Sequence, residues 1–129
     1  MTRPLYPVYR VGRTDSPNGV GGLWYDRDGN ATGEIHQIDG LANQHLPMPY
    51  DPDVAAEHWI SAVAYLVDLR WWFPPRDVEL LAEHGRCLWS LFVTEYRQAD
   101  GHILFRERDV VEAHPIGIDL YRAVLHVPA

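Results

Sequence analysis

Residues 86–97 carry apolar side chains on both of their alternating faces. One face holds Cys87, Trp89, Leu91 and Val93, and the other holds Leu88, Ser90, Phe92 and Thr94. Successive side chains of a strand point to opposite sides, so a strand that is apolar on both sides must be covered on both. We therefore predict that residues 86–97 form the central strand of a mainly antiparallel sheet, with Phe92 in the core.

Capping residues and prolines ahead of this strand predict three helices. Asp51, Pro52 and Asp53 favour a short helix over residues 51–58, because they supply a cap, a first-turn proline and a favourable charge. Ser61 is expected to cap a second helix over residues 61–72. A third helix is predicted from Pro75 to Gly85, since glycine often ends a helix in the left-handed conformation.

The remaining segments favour strands. Residues 5–11 read as an edge strand, because Pro7 cannot donate a ladder hydrogen bond. Short strands are predicted at residues 23–25 and 34–38. An Asp-Gly turn at residues 100–101 predicts a hairpin into residues 102–106, and residues 110–115 and 116–127 look extended. This order predicts an α+β single domain over residues 1–129, with a mainly antiparallel sheet and two or three short helices.

The charge of the chain restricts its partners. The 129 residues carry a formal charge of −7, and all 11 cationic side chains are arginine. An acidic chain is a poor ligand for a nucleic-acid backbone or an anionic membrane, so we expect neither as a partner. Without lysine, Schiff-base catalysis on a lysine and a P-loop are excluded. One cysteine allows no internal disulfide, which favours a cytoplasmic location.

No residue spacing predicts a metal site. The seven histidines form no His-Glu-x-x-His pattern, and Cys87 has no second cysteine beside it. Asp26, Asp28 and Asn30 match the start of a calcium loop, but its required glycine and closing glutamate are replaced by Ala31 and Gln37. We expect no metal, and we expect Cys87 to pack in the core rather than act as a nucleophile.

Adjacent aromatic residues at positions 71–73 bear on the surface of the protein. Neighbouring residues on a helix cannot both face one core. We therefore expect one of Trp71 and Trp72 to be exposed at a ligand pocket or an interface.

Several short motifs resemble a small family of uncharacterised bacterial and phage proteins. The resemblance rests on Tyr9-Arg10-Val11-Gly12, Gly22-Leu23-Trp24-Tyr25, Trp59-Ile60-Ser61-Ala62, Asp68-Leu69-x-x-Trp72-Phe73 and Phe92-Val93-x-x-Tyr96-Arg97. More distantly, the layout is similar to the ADP-ribosyltransferase fold. That resemblance implies a cleft for NAD between a first strand bearing arginine and a second segment that opens with serine.

The resemblance assigns site residues by position. Arg10 matches the cofactor-holding arginine and Ser61 the serine, while Tyr25 is expected to stack on a ring of the ligand. The fold places a catalytic glutamate on a late strand, where this chain has His102. Glu95 and Glu107 are the nearby acids that could take its place, so Glu95 and His102 are the catalytic candidates.

Two functions follow from these observations. In the first, the chain binds NAD or an ADP-ribosyl nucleotide through Arg10, Ser61 and Tyr25. In the second, it is a non-enzymatic phage or bacterial accessory protein that binds a host protein through carboxylates and an exposed tryptophan. The negative charge and the absent glutamate at His102 favour the second function, because both disfavour polyphosphate chemistry.

Overall fold

The computed structural model describes residues 4–15, 59–99 and 102–126. Two helices and six strands, with two short 3-10 helices, make up the described part. In chain order they are β1 (Tyr6–Arg13), β2 (Ile60–Ala62), a first 3-10 helix (Leu66–Trp71), α1 (Pro75–Ala82), β3 (Arg86–Val93), β4 (Arg97–Ala99), β5 (His102–Phe105), a second 3-10 helix (Glu107–Asp109), β6 (Val110–Ile116) and α2 (Ile118–Leu125). The strands predicted at residues 23–25 and 34–38, the helix predicted at 51–58, and Tyr25 lie outside the described residues.

The first sheet has three antiparallel strands in the order β1-β3-β6. β3 lies in the middle, which confirms the predicted central strand, although it ends at Val93 rather than at residue 97. The ladder becomes irregular at Phe92 and Val93, where β6 contributes a β-bulge. The chain then turns, and Arg97 begins a strand of the other sheet.

The second sheet is also antiparallel and has the order β2-β5-β4. Ala99 pairs with His102, so β4 and β5 form the hairpin that the Asp-Gly pair predicts. The two sheets meet at Tyr9 and Val63, whose backbones exchange two hydrogen bonds of 2.9 Å. The mixture of antiparallel sheets and short helices confirms the predicted α+β class.

The buried residues form two clusters on either side of the first sheet. One lies under both helices and includes Leu81, Leu88 and Tyr121. The other lies between the sheets and includes Leu91 and Phe105, which are fully buried. β3 supplies both clusters, because its alternate side chains face opposite ways.

Phe92 departs from its predicted burial. It is half-buried, and its ring lies edge-on to His114, which is exposed. Phe92 lies near the end of β3, beyond the part of that face that the helices cover, so its burial was predicted wrongly.

The helix predicted from Ser61 is wrong. Ser61 lies in β2, and residues 66–71 form a 3-10 helix. The apolar run after Trp59 contains Ile60 and Val63, whose branched side chains favour extended backbone. The sheet partners β5 and β1 therefore hold this run as a strand.

The extended segment predicted over residues 116–127 is also wrong, because Ile118–Leu125 is helix α2. Ile118, Tyr121 and Leu125 recur at helical spacing, and they pack against the cluster under the helices. The hydroxyl of Tyr121 donates a 2.5 Å hydrogen bond to the carbonyl of Phe73, which ties α2 to the end of the first 3-10 helix.

Other local expectations are confirmed. α1 begins at Pro75, and Gly85 follows it with a φ of +73°. Pro7 lies on β1, which is an edge strand of its sheet apart from the contact at Tyr9. Trp71 is 67% exposed, whereas Trp72 is half-buried against the core. Within the described ranges, no helix is long and apolar enough to span a membrane.

Truncation of two neighbours on β3 tests the burial of its two faces. We expect Leu91→Ala to lower the free energy of unfolding by about 2–5 kcal/mol, because Leu91 is fully buried. Phe92→Ala should cost clearly less, since that ring is half-buried. Urea unfolding of both variants measures the difference. An equal or larger loss for Phe92→Ala would contradict this arrangement.

Candidate functional site

Tyr9 of β1 forms an isolated antiparallel bridge with Val63, the residue that follows β2, and we call the place beside this bridge the fork. Arg10 is the next residue of β1, and its Nε donates a 3.3 Å hydrogen bond to the carbonyl oxygen of Ser61. The structure therefore brings together two of the residues that the sequence assigns to the ligand site.

Arg10 is a buried cation. Its exposed fraction is 8%, and that of Arg86 is 6%. Burial and the charge of Arg86 lower the pKa of Arg10 well below its usual value, to about 10. Two guanidinium groups thus lie within electrostatic range of each other away from water, where a negative charge beside Arg10 would be strongly stabilised.

Arg86 is held at the start of β3. It pairs in the ladder with Arg13, and its Nη1 donates a 3.2 Å hydrogen bond to the carbonyl of His84. Arg13 in turn forms an exposed ion pair with Asp15, with Nε 2.9 Å from Oδ1. The hydrogen bond from Arg13 lowers the pKa of Asp15. This end of the first sheet therefore carries three arginines at or next to the fork.

Trp89 forms an apolar wall beside Arg10. The two residues are ladder partners, and Trp89 is 7% exposed. The indole Nε1 donates a 3.2 Å hydrogen bond to the carbonyl of Arg13, which fixes the ring in place. A ring fixed next to a buried guanidinium lowers the local dielectric, and this strengthens any interaction with an anion.

Ser61 contributes differently from the prediction. Ser61 was expected to cap a helix, but it lies in a strand. It instead presents its backbone carbonyl to Arg10. The resulting contact orients the guanidinium, and no helix N-terminus lies at Ser61 to bind phosphate.

His102 lies on the strand next to the fork. It is the first residue of β5, and the following residue, Ile103, pairs with Ala62. The ring of His102 is half-buried, and it meets the ring of Trp72 edge-on at a centroid separation of 6.3 Å.

The two candidate acids are placed away from the fork. Glu95 follows the end of β3, and its Oε2 accepts a 3.1 Å hydrogen bond from Arg106. Val93 lies four positions after Trp89, the partner of Arg10, which is about 13 Å along the strand. Glu107 begins the second 3-10 helix, close to the Arg106–Asp109 ion pair. Glu95, one of the two catalytic candidates, therefore lies apart from Arg10.

Cys87 and the metal-ligating side chains give no second site. Cys87 is half-buried, and burial raises the pKa of its thiol, so the reactive thiolate is disfavoured. In the described portion of the chain, no three His, Cys, Asp or Glu side chains come together as a metal-binding group.

Sequence reasoning missed Arg86 as a member of the site. It precedes the apolar run of β3, where an arginine reads as an ordinary strand-end residue. Its relation to Arg10 depends on the register of β1 against β3, which pairs Arg13 with Arg86. One weak signal could have indicated that Arg86 is buried. An arginine at the start of a strand with two apolar faces must either bury its charge or extend its side chain past the strand end.

The fork is suited to binding a compact anion. Arg10 supplies a charged, oriented donor, Arg86 adds positive potential, and Trp89 excludes water on one side. Comparison of the chain with protein-family models, curated proteins and solved structures finds no match.

Proposed function

We propose that the protein binds NAD or an ADP-ribosyl nucleotide at the fork, with Arg10 as the phosphate-binding residue. The observation that carries this proposal is the buried Arg10, held by the Ser61 carbonyl and lying within range of Arg86. The choice of nucleotide rests on the resemblance of the sequence to the ADP-ribosyltransferase fold, in which the first strand and a serine-bearing segment flank the cofactor.

The electrostatics of Arg10 support an anionic ligand. Its lowered pKa means that the protonated guanidinium is less stable in the fork than in water. A phosphate beside it would offset both causes, burial and repulsion by Arg86. Guanidinium is also the cation best matched to phosphate, because its planar donors pair with two oxygens at once.

Under the same proposal, the protein binds NAD but does not efficiently cleave nicotinamide from it. Release of nicotinamide breaks the bond between its ring nitrogen and the ribose, and water then adds to the ribose carbon. A carboxylate stabilises the positive charge that develops on the sugar. His102 lies where the resemblance places that carboxylate, and neither a neutral nor a protonated imidazole supplies a negative charge.

Calorimetry of NAD and ADP-ribose tests the binding proposal. We expect both ligands to bind, and we expect Arg10→Ala to weaken binding about 10- to 150-fold, the worth of one charged hydrogen bond of about 1.5–3 kcal/mol. Arg108→Ala is the matched control, because it removes the same charge from an exposed position. Its affinity should equal that of the wild-type protein.

Two further observations keep the binding test decisive. Arg10→Lys retains a cation if Arg10→Ala fails to fold, and it should still bind more weakly because it loses the planar donors. Ligand that binds the folded state must also raise the melting temperature. No heat and no thermal shift at millimolar NAD would remove the nucleotide proposal.

Nicotinamide release tests the assignment of His102. We expect the wild-type protein to release nicotinamide slowly or not at all, and we expect His102→Glu to raise the rate. Chromatographic detection of free nicotinamide provides the measurement, with His102→Gln as the uncharged control. If His102→Glu binds NAD but releases nicotinamide no faster than His102→Gln, the proposed correspondence is wrong.

The exposed aromatic residues favour a second candidate function, that of a cytoplasmic phage or bacterial accessory protein that binds a host protein. Tyr65 and Trp71, at the two ends of the first 3-10 helix, are 69% and 67% exposed. Arg70 lies over the Trp71 ring, with Cζ 4.7 Å from its centroid. Tryptophan, tyrosine and arginine are the residue types most often found at the energetic centre of protein interfaces.

Affinity capture with matched variants tests this second function. The proteins retained by immobilised wild-type chain are quantified by mass spectrometry and compared with those retained by Trp71→Ala. We expect at least a tenfold loss of a specific partner with Trp71→Ala, as for a hot-spot residue, and no loss with Arg108→Ala. Identical retention by all three proteins would contradict a docking role for Trp71.

A further inference from the structure

The outer edge of β6 is an exposed strand edge. Among the described residues, β3 is the one strand that pairs with β6, so β6 ends the first sheet. Both of its faces reach solvent: Val111 is 57% exposed, and Glu112, His114 and Pro115 are exposed as well. Such an edge offers backbone donors and acceptors to a further strand.

Pro115 indicates which backbone groups face outward. It pairs with Trp89 in the ladder, and a proline inside a sheet is tolerated where its nitrogen points away from the neighbouring strand. Ladder groups alternate along an antiparallel strand, so Ala113 turns both its N–H and its C=O outward, whereas Pro115 offers only its C=O there. The β-bulge near Val111 limits the regular edge to residues 112–116.

The side chains along this edge of β6 are complementary to the same side chains on a second copy of the strand. Glu112 and His114 lie on one face of β6, with Oε2 and Nε2 3.4 Å apart, and both are more than half exposed. In an antiparallel pairing of two copies centred on Ala113, Glu112 of each copy lies opposite His114 of the other. An imidazole directly opposite a carboxylate can hydrogen-bond to it across the strand pair, and other registers lose this match.

We propose that β6 pairs with β6 of a second copy of the chain, antiparallel, about a two-fold axis at Ala113. The two Ala113 residues exchange backbone hydrogen bonds, and the Glu112 and His114 side chains of both copies form one hydrogen-bonded cluster. The contact is isologous, so it closes after two copies and does not build a fibre.

A single short strand pair is a small interface, and small interfaces are weak. The dimer is therefore expected at high rather than low protein concentration. Sedimentation of the full chain between about 10 μM and 1 mM should show monomer converting to dimer. A chain that stays monomeric to 1 mM overturns the proposal and leaves this edge for an extended segment of a different protein.

Charge exchange tests the register. Glu112→Lys replaces the carboxylate acceptor opposite each His114 with a cation, and we expect it to weaken the dimer about tenfold. The double variant Glu112→Lys/His114→Glu places opposite charges across the strand pair, and it should restore dimerisation. All of these side chains are exposed, so the monomer fold is expected to persist, which circular dichroism checks. Loss of dimer in the double variant overturns this register.

Cross-linking tests the axis directly. In a Cys87→Ala background, Ala113→Cys brings two thiols to hydrogen-bonded partner positions, where Cα atoms are about 5.5 Å apart and a disulfide fits. Val111→Cys is the control, because the two copies of residue 111 are about 13 Å apart. We expect mild oxidation to cross-link Ala113→Cys at least tenfold faster than Val111→Cys. Equal rates overturn the two-fold axis at Ala113.

Discussion

The paired backbone hydrogen bonds between Tyr9 and Val63 hold the described architecture together. They link two antiparallel sheets that otherwise make their own ladders, β1-β3-β6 and β2-β5-β4. The cluster between the sheets, with Leu91 and Phe105 at its centre, needs this connection because its two halves come from different sheets. Arg10 is placed by the same contact, since it follows Tyr9 directly and reaches the carbonyl two residues before Val63. The fold and the candidate site thus depend on one bridge.

The α+β class, the central strand and the hairpin could be predicted because each rests on a local pattern. Alternation on two faces, an Asp-Gly turn and a proline at the first helical position are each set by nearby residues. The segment after Trp59 could not be assigned in this way. Its apolar residues fit both a helix and a strand, and the choice is made by the distant partners Tyr9 and Phe105. The opposite error was made for α2. Residues 116–127 were predicted to be extended, although Ile118, Tyr121 and Leu125 recur at helical spacing.

The proximity of Arg10 and Ser61 was predicted, but the contact between them is not of the expected kind. The expectation relied on a helix beginning at Ser61, whereas the structure uses a strand carbonyl as the acceptor. Arg86 was missed because its place depends on cross-strand register, which the sequence does not show. Tyr25, the third residue assigned to the ligand, lies outside the described residues, and its role remains a prediction.

The absence of lysine gives the buried cation at the fork a permanent charge. A pKa lowered to about 10 still leaves Arg10 protonated at every pH a living cell reaches. The same causes would lower the pKa of a lysine from its ordinary value of about 10.4 toward neutrality, so its charge would vary with pH. An ammonium there would also be open to acetylation, which abolishes its charge. Because the buried cation is a guanidinium, its positive charge at the fork is removed neither by modest alkalinity nor by acetylation.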